Sequence, residues 1–192
     1  MLKRWIAKCC ISLSRFERSE RGVAAIEFAL LAPPFFLILG AIMETGLMFF
    51  AEYTIQTAVQ DSARLVRTGQ VQGVLSASQF KAKICNLVSV ILDCTSGVTV
   101  YVRSATNFAT LKSTVPDFLT IGPTVGSTQG ASACYDTGTT SKPAVVVATY
   151  DWKFNMLGMS QLSNISGGTT RRLVGFAIFQ NEPFPSSSTS SC

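Results

Sequence analysis

The residues with the clearest chemical meaning are Gly22 and Glu27. Lys3, Arg4, Lys8, Arg15, Arg18 and Arg21 precede or flank them against only Glu17 and Glu20, and sixteen uncharged, nearly all apolar residues, 28–43, follow. An ionised carboxylate at the centre of a membrane span costs about 2.5–3.5 kcal/mol, so Glu27 needs a partner. Cleavage of the peptide bond between Gly22 and Val23 would supply one. The new amine would lie one helical turn from the Glu27 carboxylate, on this chain or on a neighbouring copy, and the two charges would neutralise each other in low dielectric. If the chain were cut there, the spacing permits an ion pair between that amine and Glu27.

Cysteine supplies the second kind of chemistry. Cys9 and Cys10 lie in the basic leader, and Cys85, Cys94, Cys134 and Cys192 lie beyond the apolar run. Four cysteines in an oxidising compartment can form two bridges in three pairings. The expected pairing joins Cys85 to Cys94, close in sequence and flanking the end of a helix, and leaves Cys134 for Cys192. The residue before Cys9 is Lys8, not the small apolar residue of a lipoprotein signal, so no lipid anchor follows.

Other chemistry finds little support. The chain has no His, which removes Ser-His-Asp and Cys-His arrangements and His-containing zinc sites. There is no phosphate-cradling glycine motif and no Cys-x-x-Cys. Asp93, Asp117, Asp136 and Asp151 are scattered, and only a glycosidase-like pair would draw on them. No cofactor or metal is expected. Net charge is +5, but residues 23–192 carry ten Lys and Arg against nine Asp and Glu. A nearly neutral outer region gives no case for nucleic acid.

The elements that position these residues follow from hydropathy and spacing. Residues 23–51 are long enough to cross a hydrocarbon core of about 30 Å as a helix. The basic leader, residues 1–22, keeps the N-terminus cytoplasmic and sends the rest of the chain across. Leader residues Trp5, Ile6, Ile11, Leu13 and Phe16 would suit a membrane-surface helix, but a basic topogenic tail is the simpler reading. The apolar run exceeds that of a secretory signal, and no pair of small residues sets up cleavage on the outer face. Glu44 lies near the outer end, where it reaches the interface. Pro33 and Pro34 each remove a backbone donor and predict a kink.

Beyond the membrane, residues 52–184 predict a stalk and a small α+β head. Ile55, Val59, Ser62 and Val66 recur at helical spacing, and Gly69 supplies a stop. Phe80, Ile84, Leu87, Val88 and Ile91 form the stripe of a second helix over 77–92. Residues 98–103, 144–152 and 171–179 read as strands, and an antiparallel sheet of three or four strands closes the head. Residues 104–142, rich in Ser, Thr, Gly and Ala with two prolines, read as a long loop. Residues 185–192 form a Ser-rich tail.

The run Gly22-Val-Ala-Ala-Ile-Glu27-Phe-Ala-Leu-Leu-Ala-Pro, with Glu44-Thr-Gly-Leu-Met-Phe-Phe, resembles the TadE-like family of minor pseudopilins of Flp-type (tight-adherence) pilus systems. The closing Phe179-Gln-Asn181-Glu182-Pro183-Phe184 resembles that family's terminal motif. Phe28 replaces the Tyr that major Flp pilins carry after the glutamate, which points to a minor subunit. The resemblance implies cleavage by a prepilin peptidase whose narrow site accepts Gly22, a mature chain beginning at Val23, and subunit registration by Glu27. It also implies other pilins or minor pseudopilins and an inner-membrane assembly platform as partners, besides membrane lipid. The expected location is the bacterial inner membrane, single-pass, with the C-terminal domain periplasmic or carried into a pilus. Phe179 and Phe184 read as rings turned back onto the head by Pro183, with Glu182 open to an assembly contact instead. The competing readings are an unprocessed anchored binding module using loop 104–142 and, behind it, an anchored envelope hydrolase using Asp117 or Asp136.

Overall fold

The computed structural model describes residues 22–94, 97–122, 134–156, 158–165, 169–185 and 192. Most of the leader (1–21), residues 123–133 of the long connection and residues 186–191 of the tail lie outside the described residues. The elements are α1 (Val23–Arg67), α2 (Ala77–Val88), β1 (Val98–Ser104), α3 (Phe108–Thr114), β2 (Pro143–Lys153) and β3 (Thr170–Gln180). Short 3-10 turns occupy Phe118–Thr120 and Met159–Leu162. The chain divides into two compact units, Met1–Met43 and Glu44–Cys192.

The described part of the first unit is the apolar half of α1. Ile26, Phe28, Leu30, Leu31, Phe35, Phe36, Ile38 and Ile42 are all exposed, and the most apolar window has a mean hydropathy of 2.1 with none of it buried. At 1.5 Å per residue, residues 23–43 extend about 30 Å, the thickness of a hydrocarbon core. A helix apolar on every side and covered by nothing suits a membrane anchor. Pro33 and Pro34 lie inside α1 without ending it, although they deprive the Ala29 and Leu30 carbonyls of their usual i+4 amide donors.

In the second unit α1 is one-sided. Glu44, Met48, Ala51, Ile55, Ala58, Val59, Ser62, Ala63 and Val66 are buried, at the three- and four-residue spacing of a helix face. All four last carbonyls of α1 find donors, as a buried helix end requires. Thr68 N–H donates to Arg64, Gln70 N–H to Leu65, Gly69 N–H to Val66 and Glu182 N–H to Arg67. Gly69, at φ +78°, takes the left-handed conformation of a Schellman cap, which only glycine adopts without penalty.

Helix α2 begins at a capping box between Ser76 and Gln79 and buries Phe80, Ile84 and Val88. It stops at Val88, four residues short of the expected end. The Cys85–Cys94 disulfide explains why, because its Cα atoms are 5.5 Å apart whereas nine residues of helix would separate them by about 13 Å. Residues 89–92 instead turn back, with Ile91 and Leu92 N–H donating to the Val88 carbonyl.

The sheet has the order β1-β2-β3, antiparallel throughout. Each strand extends one residue further than expected at its C-terminal end, and β2 and β3 also start one earlier. The first seven residues of β2 are buried because both faces of the sheet are covered. Val146 and Ala148 join the core formed with α1 and α2, whereas Val145 and Val147 join a second core with Leu111 and Ile121.

That second core corrects the loop expected at 104–142. Its described part holds α3 and the Phe118–Thr120 turn, and Tyr135 pairs with Val102 alongside β1. Asn107 caps α3 by accepting from Thr110 N–H at 2.8 Å. Phe108, Leu111 and Val115, three and four residues apart, carry the helical period that the surrounding Ser and Thr obscure.

Candidate processing and assembly site

Helix α1 starts directly after Gly22, with Val23 as its first residue. Val23 and Glu27 are four apart and therefore share one face, and both are exposed. The backbone thus places a Val23 amine, once freed, beside the Glu27 carboxylate. Among the described residues Glu27 has no ion-pair partner, which leaves it available to such an amine.

Glu44, read from sequence as an interfacial residue, has a larger role. It is only 7% exposed, and its carboxylate accepts hydrogen bonds from the main-chain N–H groups of Asn155 at 2.6 Å and Met156 at 3.0 Å. Two adjacent amides converging on one carboxylate are charge-assisted bonds, stronger than neutral ones. They fasten the connection after β2 to the first packed turn of α1. An apolar neighbourhood with one carboxylate was the signal available in the sequence; the identity of its donors, 111 residues away, was not.

The C-terminal motif closes the other end of α1. Asn181 is buried, donates from its side-chain amide to the Thr137 and Thr139 carbonyls at 3.0 Å each, and donates from its main chain to Lys142 at 2.9 Å. Glu182 gives its N–H to the last carbonyl of α1 and sets its carboxylate 3.2 Å from the exposed Arg67 guanidinium. Phe184 lies over Gly69 so closely that a Cβ there would meet its ring at 2.6 Å, and Phe179 packs against the main core. Pro183 is exposed between them. The motif is therefore a clasp joining α1 to the segment before β2. The surface ion pair adds only about 0–1 kcal/mol.

Two further features hold α1 to the sheet. Gly175 of β3 faces Ile55 so tightly that a Cβ would come within 2.7 Å of the Ile55 side chain. The Gln56 side chain donates to the Phe176 carbonyl and accepts from its N–H, both at 3.0 Å, acting as a one-residue strand partner for the sheet edge. Asn164 does the same for Arg172, at 2.9 and 2.7 Å.

The carboxylates of Asp117, Asp136 and Asp151 serve separate structural ends. Asp151 sits directly opposite Arg172 in the sheet and pairs with it at 2.6 Å, both side chains nearly buried. The same guanidinium donates to the Leu119 carbonyl, tying the Phe118–Thr120 turn to the sheet. Asp117 caps that turn through Leu119 N–H. Asp136 accepts from the Ser104 hydroxyl and Gly138 N–H, and the Asp93 carbonyl accepts from Gly97 N–H. Among the described residues no group of three His, Cys, Asp or Glu is arranged to hold a metal. A cleft of about 370 Å³ does open over the second core, lined by Phe108, Leu111, Val115, Pro116, Phe118, Val145 and Ile178 together with the charged Lys112 and Asp117. Most of its lining is apolar and comes from the 104–142 stretch on which the binding-module reading draws.

The second disulfide joins Cys134 to Cys192. Cys134 lies against β1, where its carbonyl accepts from Val102 N–H, so this bridge brings the chain end to the sheet edge. Burial raises the hydroxyl pKa of neighbouring Tyr135 to about 12. Tyr101, on β1, is also raised by burial, with Asp136 adding to the shift and Arg103 opposing it.

The helix that follows Gly22 and carries Glu27 and Glu44 is where the chain matches known proteins. Residues 22–64 match the TadE-like protein family. No curated protein and no solved structure matches the chain. The TadE-like match begins at Gly22 and ends inside α1. The closing clasp and the sheet lie beyond the matched residues.

Proposed function

We propose that this chain is a TadE-like minor pseudopilin that a prepilin peptidase cuts after Gly22 and that acts in assembly of an Flp-type pilus or a related secretion apparatus. The observation that carries the proposal is the family match over residues 22–64, whose first residue is the glycine of the processing site. Exposure of Val23 and Glu27 on one helix face supports it. In this reading the basic leader stays cytoplasmic, residues 23–43 hold the chain in the inner membrane, and the disulfide-bonded head faces the periplasm. Glu27 registers the subunit against the new amine of a neighbouring pilin or pseudopilin, and the assembly platform recruits the helix.

The test is the N-terminal sequence and intact mass of the protein recovered from membranes, with and without a cognate prepilin peptidase, beside Gly22→Trp. The expected result is a peptidase-dependent start at Val23 that the substitution abolishes. A chain that still begins at Met1 in the presence of the peptidase refutes processing.

A further inference from the structure

Strand β3 lies at an edge of the sheet, whose order is β1-β2-β3. Its register against β2 is continuous from Thr170 to Gln180, so successive residues point their main-chain groups alternately at β2 and at the open side. Arg172 and Phe176 fix which set faces out, because their N–H and carbonyl groups bond to the side chains of Asn164 and Gln56 instead of to β2. Val174, Ile178 and Gln180 belong to the same set. Val174 lies between the two capped positions. Past Gln56 the edge is open: among the described residues, nothing bonds the outward N–H and carbonyl groups of Ile178 and Gln180. An uncapped stretch of edge strand is a template for another strand.

Ile178 also borders the cleft over the second core. It stands opposite Val145 in the sheet, and both line the volume of about 370 Å³ beside α3 and Phe118, within the size range of ligand pockets. The charged residues of that lining, Lys112 and Asp117, are of opposite sign, so the cleft calls for an uncharged apolar group. A lipid tail or small apolar molecule would fill it and leave the adjoining edge unbonded. An extended peptide satisfies both. Residues directly opposite on neighbouring strands share a face with Cβ atoms about 4.5–5.5 Å apart, so a peptide residue paired with Ile178 sets its side chain at the mouth of the cleft. A second copy of β3 matches less well. Two-fold pairing through the open groups alone is centred on Phe179 and sets Ile178 of each copy opposite Gln180 of the other, which puts a polar amide where the cleft is apolar.

We propose that the Ile178–Gln180 edge and the adjoining cleft form a docking site for an extended, uncharged segment of another protein. The segment adds to β3 as a fourth strand and sets an aromatic or branched apolar side chain over Val145 and Ile178. Main-chain bonds supply affinity and the cleft selects the side chain. Gln56 sets one end of the site, because it occupies Phe176 and stops the added strand there. The site lies wholly within the Glu44–Cys192 unit and is independent of processing at Gly22.

The test uses the full chain in detergent and a blocked peptide of alternating Thr and Val with a central Phe, read by residue-resolved amide hydrogen exchange. In the free chain the Ile178 and Gln180 amides should exchange fast, whereas Phe176, held by Gln56, and Phe179, facing β2, should exchange slowly. At about 1 mM the peptide should slow exchange at Ile178 and Gln180 by about tenfold or more. The same peptide N-methylated on the amides that face β3 should give no protection. Asp in place of the central Phe, or Ile178→Lys in the protein at a residue already 53% exposed, should each weaken binding by about tenfold or more. Slow exchange at Ile178 and Gln180 in the free chain overturns the open edge. Absence of protection by the Phe peptide overturns the docking site, as does equal protection by the N-methylated peptide or in Ile178→Lys. A dimer in sedimentation that Ile178→Lys dissolves assigns the edge to a second copy and also overturns the proposal. Each outcome reads the same whether the chain begins at Met1 or at Val23.

Discussion

Gly175→Ala tests how closely α1 must approach the sheet. A Cβ at this position would stand 2.7 Å from Ile55 Cγ2 and 3.0 Å from the Ile55 carbonyl carbon and oxygen, where carbon contacts are optimal at about 3.5–4.0 Å. Two of those three atoms are backbone and cannot rotate aside. The third belongs to a β-branched side chain that a helix holds in one χ1 rotamer. Helix and strand must therefore separate by several tenths of an ångström, which stretches the Gln56 bonds to Phe176 and loosens the core on both sides. Overpacking of this kind costs about 1–3 kcal/mol. For a head of this size, 2 kcal/mol corresponds to a fall of about 4–8 °C in Tm.

The assay is thermal unfolding of the full chain in detergent, followed by near-ultraviolet circular dichroism, for Gly175→Ala, Ile55→Ala and the pair. Ile55→Ala alone costs about 2–5 kcal/mol as a cavity. In the pair the Cγ2 clash is gone while the backbone clash remains, so the added cost of Gly175→Ala should shrink without vanishing. Ile55→Val keeps Cγ2 and should give no relief. An unchanged Tm for Gly175→Ala, or strictly additive losses in the pair, would refute the close approach.

Three further perturbations probe the other fastenings. Glu44→Ala should speed hydrogen exchange at the Asn155 and Met156 amides by about 10–100-fold, from the loss of about 1.5–3 kcal/mol in bonds to a charged acceptor; unchanged protection there would show that the carboxylate does not hold them. Arg172→Ala removes the guanidinium that pairs with Asp151 in a nearly buried site and should cost about 3–5 kcal/mol, whereas the double replacement Arg172→Met with Asp151→Leu should cost much less, measured by urea denaturation. Because burial raises the Tyr135 pKa to about 12 from an ordinary value near 10, the unfolded chain sheds this proton first as pH rises. The stability associated with Tyr135 is intact below about pH 10 and is lost between about pH 10 and 12. Tyr135→Phe should flatten that alkaline decline relative to the parent in denaturation at a series of pH values, and an identical slope would count against the burial argument.

What could be read from the sequence was whatever depends on neighbours along the chain. The strands at β1, β2 and β3, the stop at Gly69 and the apolar face from Ile55 to Val66 are local patterns of period two or of three and four. Helix α3 was equally local but was missed, since Ser and Thr dominate the composition around Phe108, Leu111 and Val115. The remaining contacts depend on register. Once Asp151 is known to stand opposite Arg172, their ion pair follows, but nothing near either residue announces it. Gln56 and Asn164 are ordinary polar residues until the sheet edge they complete is in place.

The family match covers residues 22–64 and ends inside α1. Residues 22–64 must satisfy a membrane and, in the proposed function, a peptidase and neighbouring subunits, and those demands act on local sequence. Several fastenings of α1 to the head use main-chain groups of the head, namely the Asn155 and Met156 amides, the Phe176 backbone and the Glu182 N–H. Main-chain donors and acceptors place few constraints on residue type in the partner segment. Glu44 and Gln56 lie inside the matched stretch, so the helix carries the side-chain half of these contacts and the head supplies the backbone half.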